Sequence, residues 1–473
     1  MKHSSKYNQE TYDELAQSPG EVLMFLLRCM FALLSGIYLQ TAFAALPIQH
    51  WEAASGAQVY FVESRELPIL DVSVDFNAGS STDTADKSGR AGLTLYLLSL
   101  GAGGLSEDQI AKAAADVGAQ LGAHFDQDRA GITLRTLSSA RERKQALDIL
   151  SRVIQQPEFV PGILQREKAR IIAGLKEADT KPEVIADRVL MKMLYGDHPY
   201  GLRGSGEVET VSEMQREDLV DFYRARYLAS GAVVSIMGDI SRGEAAAIAE
   251  SLTSQLPQGI QGKPVNDVPA VKDPSPETKW IAHPATQSHI LLGYPGLRRH
   301  DPDYFPLLVG NHILGGGGFT SRLMEEIRQK RGLAYSVHSH FSPLREKGPF
   351  EISLQTRKEQ SGEALALTRK VLADFVANGP THKELAEAKQ NIIGSFPLRI
   401  DSNKKIMGYL ALIGFYDLPL TYLDDYLKAV GGVTARQVKD AFQRRINPDG
   451  MVSVVVGAQE KKEKQGSLFS FFA

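Results

Sequence analysis

Residues 219–238 have the sequence LVDFYRARYLASGAVVSIMG, and residues 438–457 have the sequence VKDAFQRRINPDGMVSVVVG. The second stretch repeats the first at an offset of 219 residues, with Asp, an aromatic residue, Arg and two Gly in register. The match runs without a gap through a predicted helix, a turn and a predicted strand. An ungapped match over three successive elements indicates a duplicated domain.

Between the two copies lies a proline-rich stretch. Residues 255–278 contain five prolines separated by glycine and polar residues, a composition typical of an extended linker. The predicted organisation is an N-terminal extension with a secretory signal (1–44), a first domain (45–254), the linker (255–278), a second domain (279–458) and a C-terminal tail (459–473).

The pattern of apolar residues predicts an α+β fold. Alternating or β-branched runs predict strands at 58–62, 70–76, 131–136, 288–294, 334–340 and 349–355. A spacing of about 3.6 residues predicts helices at 107–117, 140–156, 161–178, 184–194, 302–314, 320–331, 361–378, 382–395, 403–414 and 434–446. Because strands cluster with strands and helices with helices, we expect mostly antiparallel sheets packed with helices rather than a doubly wound parallel sheet.

The amino terminus has the pattern of a secretory signal. Arg28 precedes the apolar run 30–39, and an Ala-x-Ala site follows at 42–44. We expect cleavage after Ala44; the alternative is an uncleaved membrane anchor. Translation could start at Met24, since a polar prefix of 23 residues is unusual for a signal peptide. The single cysteine, Cys29, lies within this segment.

Composition excludes several function classes. The chain carries 53 Lys+Arg against 56 Asp+Glu, so its formal charge of −3 gives little support for nucleic-acid binding. One cysteine excludes an intrachain disulfide framework and a cysteine-rich zinc site. The sequence contains no H-E-x-x-H, H-x-x-E-H, G-x-S-x-G or P-loop motif. His338 and His340 share a face of a predicted strand, where we expect surface or packed histidines rather than metal ligands.

Several motifs, taken together in their order and spacing, resemble the pitrilysin/insulinase family of inverted-motif zinc peptidases. These motifs are YGDHPYG (195–201), RYL (226–228), MGD (237–239), ILGGGGFTSRL (313–323) and EIRQKRGLAY (326–335). The nearest pattern is that of the short bacterial branch, which is similar to the subunits of mitochondrial processing peptidase. The resemblance covers nearly all of residues 46–458. It implies two homologous domains facing each other as half-shells around a peptide chamber.

The zinc site that the resemblance implies is missing. The family's H-x-x-E-H motif falls on residues 95–99, where Leu95 and Ser99 replace the histidine ligands and Leu98 replaces the general base. The third ligand, a glutamate in the family, falls near Gly174. Glu167 and Glu177 are the nearby carboxylates, but a catalytic zinc needs about three protein ligands. We therefore expect no metal and no catalytic residue in this chain.

The second-domain features are retained. Arg328 and Tyr335 match an Arg/Tyr pair that contacts substrate near the zinc in active relatives, and Gly315, Gly316, Gly317 and Gly318 match the family's glycine-rich segment. On this resemblance, the leading hypothesis is a non-catalytic subunit of a periplasmic, Gram-negative heterodimer whose homologous partner carries the zinc. The alternatives are a peptide-binding or scaffold protein without a catalytic partner, and a metallopeptidase with relocated ligands such as His338 and His340.

Overall fold

The computed structural model describes residues 47–258 and 268–459. The predicted signal segment and tail residues 460–473 lie outside these ranges. Among the described residues, no helix combines the length and apolar character needed to cross a bilayer.

The secondary-structure elements alternate between short groups of strands and groups of helices. The strands are β1 (Gln49–Glu52), β2 (Gln58–Glu63), β3 (Ile69–Phe76), β4 (Gly101–Ala102), β5 (Leu105–Ser106), β6 (Gln120–Phe125), β7 (Ala130–Leu137), β8 (Val233–Gly238), β9 (Thr278–Ala282), β10 (Gln287–Pro295), β11 (Val337–Phe341), β12 (Pro349–Arg357) and β13 (Val452–Gly457). The helices are α1 (Arg90–Leu97), α2 (Glu107–Asp116), α3 (Ala140–Gln155), α4 (Pro161–Ala178), α5 (Pro182–Tyr195), α6 (Val208–Glu213), α7 (Arg216–Arg226), α8 (Arg242–Thr253), α9 (Tyr304–Asn311), α10 (Ser361–Asn378), α11 (His382–Ser395), α12 (Asn403–Phe415), α13 (Tyr422–Gly432) and α14 (Ala435–Arg445).

Two large sheets have the same strand order. The first runs β1-β2-β8-β3-β7-β6, and the second, β11-β12-β10-β13-β9, matches five of these six strands when followed from its opposite edge. In each sheet one neighbouring pair is parallel, β2 with β8 and β13 with β9, and the other pairs are antiparallel. The bounds of α7 and α14, and those of β8 and β13, differ by 219 residues at both ends. The predicted α+β duplication is therefore confirmed.

The glycines that end the two repeated strands have a structural reason. Gly238 and Gly457 have φ of 154° and 134°, a backbone region that favours glycine. A Cβ at Gly238 would lie 2.3 Å from the carbonyl oxygen of Ile69, and one at Gly457 would lie 2.9 Å from that of Gln287. The repeated sequence thus preserves a close approach between neighbouring strands in both halves.

One helix from each half packs against the sheet of the other half. Helix α5 of the first half packs on β10 and β13, and helix α12 of the second half packs on β8 and β3. Leu190 and Leu194 of α5 are buried in one apolar cluster with Val454 of β13. Fully burying a leucine stabilises a fold by about 1.5–3 kcal/mol. These helices therefore join the two halves, and α5 does so through an apolar cluster that it shares with β13.

The structure differs from the predicted elements at several places. Four helices and two short strands were not predicted: α1, α6, α8, α13, β4 and β5. Strands β1, β6 and β9 were not predicted, because their polar or glycine-containing sequences alternate poorly. The predicted helix at 320–331 contains instead a wide π-type helical segment at Met324–Gln329, and the strand predicted from 334 begins at Val337. Strand β9 starts at Thr278, one residue before the predicted start of the second domain.

Candidate functional site

Two of the four positions expected for the zinc site, Leu95 and Leu98, belong to the core of the first half. Leu95 lies on α1 and Leu98 follows its last residue; they are 5% and 0% exposed and belong to the first-half apolar cluster. Ser99 is half-buried, and Gly174 is exposed on α4. Two buried leucines offer no lone pair to a cation, so these positions do not fit a zinc ion.

The two nearby carboxylates are held by other partners. Glu167 on α4 is 1% exposed; it accepts a hydrogen bond from the Tyr96 hydroxyl at 3.2 Å and pairs with Arg166 at 2.6 Å. Glu177 pairs with Lys181 at 2.9 Å. The Tyr96–Glu167 hydrogen bond links α1, which carries Leu95, to α4, which carries Gly174. In this chain a hydrogen bond between side chains therefore joins α1 and α4.

His338 and His340 do not complete a metal site. Their rings lie 6.2 Å apart on β11. Burial, followed by the neighbouring His338, lowers the pKa of His340. Within residues 47–258 and 268–459, no group of three or more His, Cys, Asp or Glu side chains is arranged to hold a metal ion. The hypothesis of relocated zinc ligands has no support in the described part of the chain.

The structure brings Arg328 and Tyr335 together. Arg328 lies in the segment Met324–Gln329, and its guanidinium carbon is 4.7 Å from the centre of the Tyr335 ring. The same carbon is 4.9 Å from the centre of the Phe319 ring. Tyr335 is 79% exposed and Phe319 is 66% exposed. These three residues form an exposed cluster, here called the arginine–aromatic cluster.

The glycine-rich segment leads directly into this cluster. A Cβ at Gly315 would lie 2.4 Å from the Ser339 hydroxyl, so the first glycine allows close packing against β11. Gly318 has a φ of 64° and precedes Phe319 in a short 3-10 turn. Thus one end of the segment is anchored in the fold and the other presents an exposed aromatic ring.

A polar cavity lies between the two halves. Its volume is about 690 Å³, and its lining includes Asp187 and Arg203 from the first half and His340 and Glu351 from the second. Burial, followed by the charge of Asp187, raises the pKa of Glu351 to about 7. The cavity therefore contains a carboxyl group that gains or loses a proton near neutral pH.

A buried carboxylate beside this cavity connects the halves. Asp128, in the β6–β7 turn, is 0% exposed. It accepts hydrogen bonds from the hydroxyls of Tyr200 at 2.7 Å and Tyr416 at 2.9 Å, and from the backbone N–H of Arg345 at 2.7 Å. The Tyr200 hydroxyl also accepts from the N–H of Glu346 at 3.2 Å. Burial, reinforced by the charge of Asp128, raises the pKa of both tyrosines, so they remain protonated donors.

Sequence reasoning did not identify Phe319 or Asp128. Phe319 had one available signal, an aromatic residue placed directly after four glycines. Asp128 had none, because its partner Tyr416 is 288 residues away along the chain.

Comparison with known proteins agrees with this geometry. Two family models match successive parts of the chain: insulinase (peptidase family M16) over residues 59–205, and the peptidase M16 inactive domain over residues 213–392. The crystal structure of a peptidase M16 inactive domain from Pseudomonas fluorescens is 39% identical, covers 88% of this chain and all of its own, and superposes with a TM-score of 0.84. The non-peptidase homologue YmxG of Helicobacter pylori is 24% identical over 444 residues, covering 92% of this chain and 99% of that protein. The periplasmic protease PqqL of Escherichia coli shares the fold with a TM-score of 0.72 at 15% identity, over 87% of this chain and 45% of its own.

The fold is a duplicated peptidase fold, and leucines occupy two of the positions expected for the zinc motif, 95 and 98. The chain belongs to the insulinase family of peptidases, M16, and its residues 213–392 match the model of the peptidase M16 inactive domain. The resemblance that the sequence motifs indicated is confirmed.

Proposed function

We propose that this chain is the non-catalytic subunit of a periplasmic two-chain zinc peptidase. A homologous partner would carry the zinc site, and this chain would supply Arg328 and Tyr335 to hold the peptide. The partner's zinc would provide the activated water that attacks the peptide bond. The contribution of this chain is to bind and orient the substrate.

The observation that carries the proposal is the contrast between the two halves. In the first half, Leu95 and Leu98 are packed into an apolar core. In the second half, Arg328 forms no ion pair with a described carboxylate, whereas Lys330 and Arg331 beside it both pair with Glu326. An arginine with free N–H donors beside an exposed tyrosine hydroxyl can bind peptide carbonyl oxygens.

Co-purification tests this proposal. The full chain should be expressed alone and together with the zinc-bearing homologue from the same organism. We expect one zinc per heterodimer, none in the isolated chain, and peptide cleavage only by the pair. Stoichiometric zinc and cleavage by the isolated chain would overturn the proposal. Cell fractionation of the natural protein tests the periplasmic location.

Two substitutions test the substrate-binding role within the pair. Arg328→Ala should reduce cleavage about 10- to 100-fold, because hydrogen bonds to a charged group contribute roughly 1.5–3 kcal/mol. Tyr335→Phe, which removes the hydroxyl but keeps the ring, should have a smaller effect. Arg436→Ala is the matched control, since the Arg436 side chain is 91% exposed and its closest ion pair is at 3.6 Å. Equal activity of all three variants would contradict the assigned role.

The polar cavity favours a second candidate, a peptide-binding protein without a catalytic partner. A cavity of about 690 Å³ lined by both halves exists within this one chain. If the isolated chain binds peptides but captures no zinc-bearing homologue, this candidate replaces the first.

A further inference from the structure

The side chain of Arg328 is oriented by two aromatic rings. Its guanidinium carbon lies 4.7 Å from the ring centre of Tyr335 and 4.9 Å from that of Phe319. Among residues 47–258 and 268–459, no carboxylate forms an ion pair with this guanidinium, although Glu326 pairs with Arg331 only three residues further along. The cation–π contacts with Tyr335 and Phe319 therefore set the position of the Arg328 guanidinium.

Two hydrogen bonds hold the turn that carries Phe319. The side-chain amide of Gln329 donates to the carbonyl of Phe319 at 2.8 Å, which ties the turn to the segment that carries Arg328. The hydroxyl of Ser321 donates to the carbonyl of Gly318 at 2.7 Å. These two hydrogen bonds fix the backbone of the turn at Gly318 and Phe319.

The exposure of Phe319 argues against a role in packing. The side chain is 66% exposed, so it buries little apolar surface. Its ring contacts the guanidinium of Arg328. An arginine held by ring faces keeps the N–H donors at the edge of its guanidinium plane available for a planar acceptor.

We propose that Phe319 is a positioning residue that holds Arg328 beside Tyr335 in the orientation needed to bind a peptide carbonyl. The substrate-binding part of this inference rests on the proposed function. The inference also explains the glycine-rich segment, because Gly315 anchors it against Ser339 and Gly318 allows the left-handed turn that presents Phe319.

The first test observes Arg328 directly in the isolated full chain. Arginine is labelled with ¹⁵N, and the Nε–H resonance of Arg328 is assigned through its loss in Arg328→Lys. We expect Phe319→Leu, which keeps apolar bulk but removes the ring, to shift this resonance toward that of exposed arginines. Phe319→Tyr restores an aromatic face and should retain the wild-type shift. The matched control is Leu398→Ala, another side chain that is 66% exposed. An unchanged resonance in Phe319→Leu would overturn the inference.

The second test uses the reconstituted pair and a fluorogenic peptide. Phe319→Leu should raise KM about two- to fivefold, the size of an exposed cation–π contact, with kcat less affected. In an Arg328→Ala background the same substitution should have no further effect. A full additional loss in that background would show that Phe319 binds the peptide by itself, which would overturn the positioning role. Failure of the pair to cleave any peptide would refute the proposed function. The NMR experiment would still test whether Phe319 positions Arg328.

Discussion

Asp128→Asn should markedly weaken the junction between the two halves. The wild-type carboxylate accepts three hydrogen bonds, two of them from second-half groups, Tyr416 and the N–H of Arg345. An asparagine carbonyl can replace one carboxylate oxygen. The amide NH₂ then faces a donor, so one hydrogen bond is lost and the others lose their charge assistance.

The magnitude follows from these contacts. A hydrogen bond to a charged group contributes roughly 1.5–3 kcal/mol, and a neutral one about half as much. Losing one and weakening two lowers the free energy of unfolding by about 3–6 kcal/mol. Using an unfolding entropy of about 2.1 cal/mol/K per residue over roughly 400 residues, the melting temperature falls by about 4–7 °C if the halves unfold together.

Urea denaturation at pH 7, followed by tryptophan fluorescence and circular dichroism, measures this loss. Asp197→Asn is the control, because Asp197 is fully exposed and pairs only with Lys192 at 3.1 Å among the described residues; we expect a change below about 0.5 kcal/mol. Small-angle scattering should also show a wider spread of angles between the halves in Asp128→Asn. A loss below about 1 kcal/mol with unchanged scattering would refute the reasoning that this carboxylate connects the halves.

Four further substitutions test other parts of the structure. Gly414→Ala should destabilise the chain by about 1–3 kcal/mol in thermal unfolding, since its Cβ would lie 2.6 Å from a methyl group of Val233. Gly408→Ala on the same helix has no neighbour within 4 Å and should be neutral or stabilising by up to about 1 kcal/mol. Leu98→Glu should cost about 3 kcal/mol or more in urea denaturation and bind no zinc, because it places an unpaired carboxylate in an apolar core. Glu351→Gln should be more stable than wild type above pH 7 by about 1–3 kcal/mol, because the folded pKa of about 7 lies above the unfolded value of about 4.3. The folded state retains the Glu351 proton as the pH rises from about 4.3 to 7, so the stability of the wild type falls over that window. A stability difference between Glu351→Gln and the wild type that stays constant from about pH 4 to pH 8 would contradict the raised pKa of Glu351.

The sequence by itself determined the duplication, and it predicted the loss of the zinc site. The offset of 219 residues returns in the bounds of two helices and two strands. The family resemblance placed the zinc motif on residues 95–99, and residue chemistry then predicted no site there, because Leu95 cannot coordinate zinc in any conformation. Arg328 and Tyr335 were named through their spacing within a family pattern, and their role stays a prediction.

Only the tertiary structure decided which surfaces meet. Apolar periodicity predicted that α5 and α12 each bury one face, but periodicity does not say which sheet covers that face. The exchange of these helices became visible only in the folded chain. The contacts of Asp128 and of Phe319 likewise depend on turns that bring distant or irregular segments together. The local pattern of apolar residues predicts which face of a segment is buried. The residues that cover that face depend on how the whole chain packs.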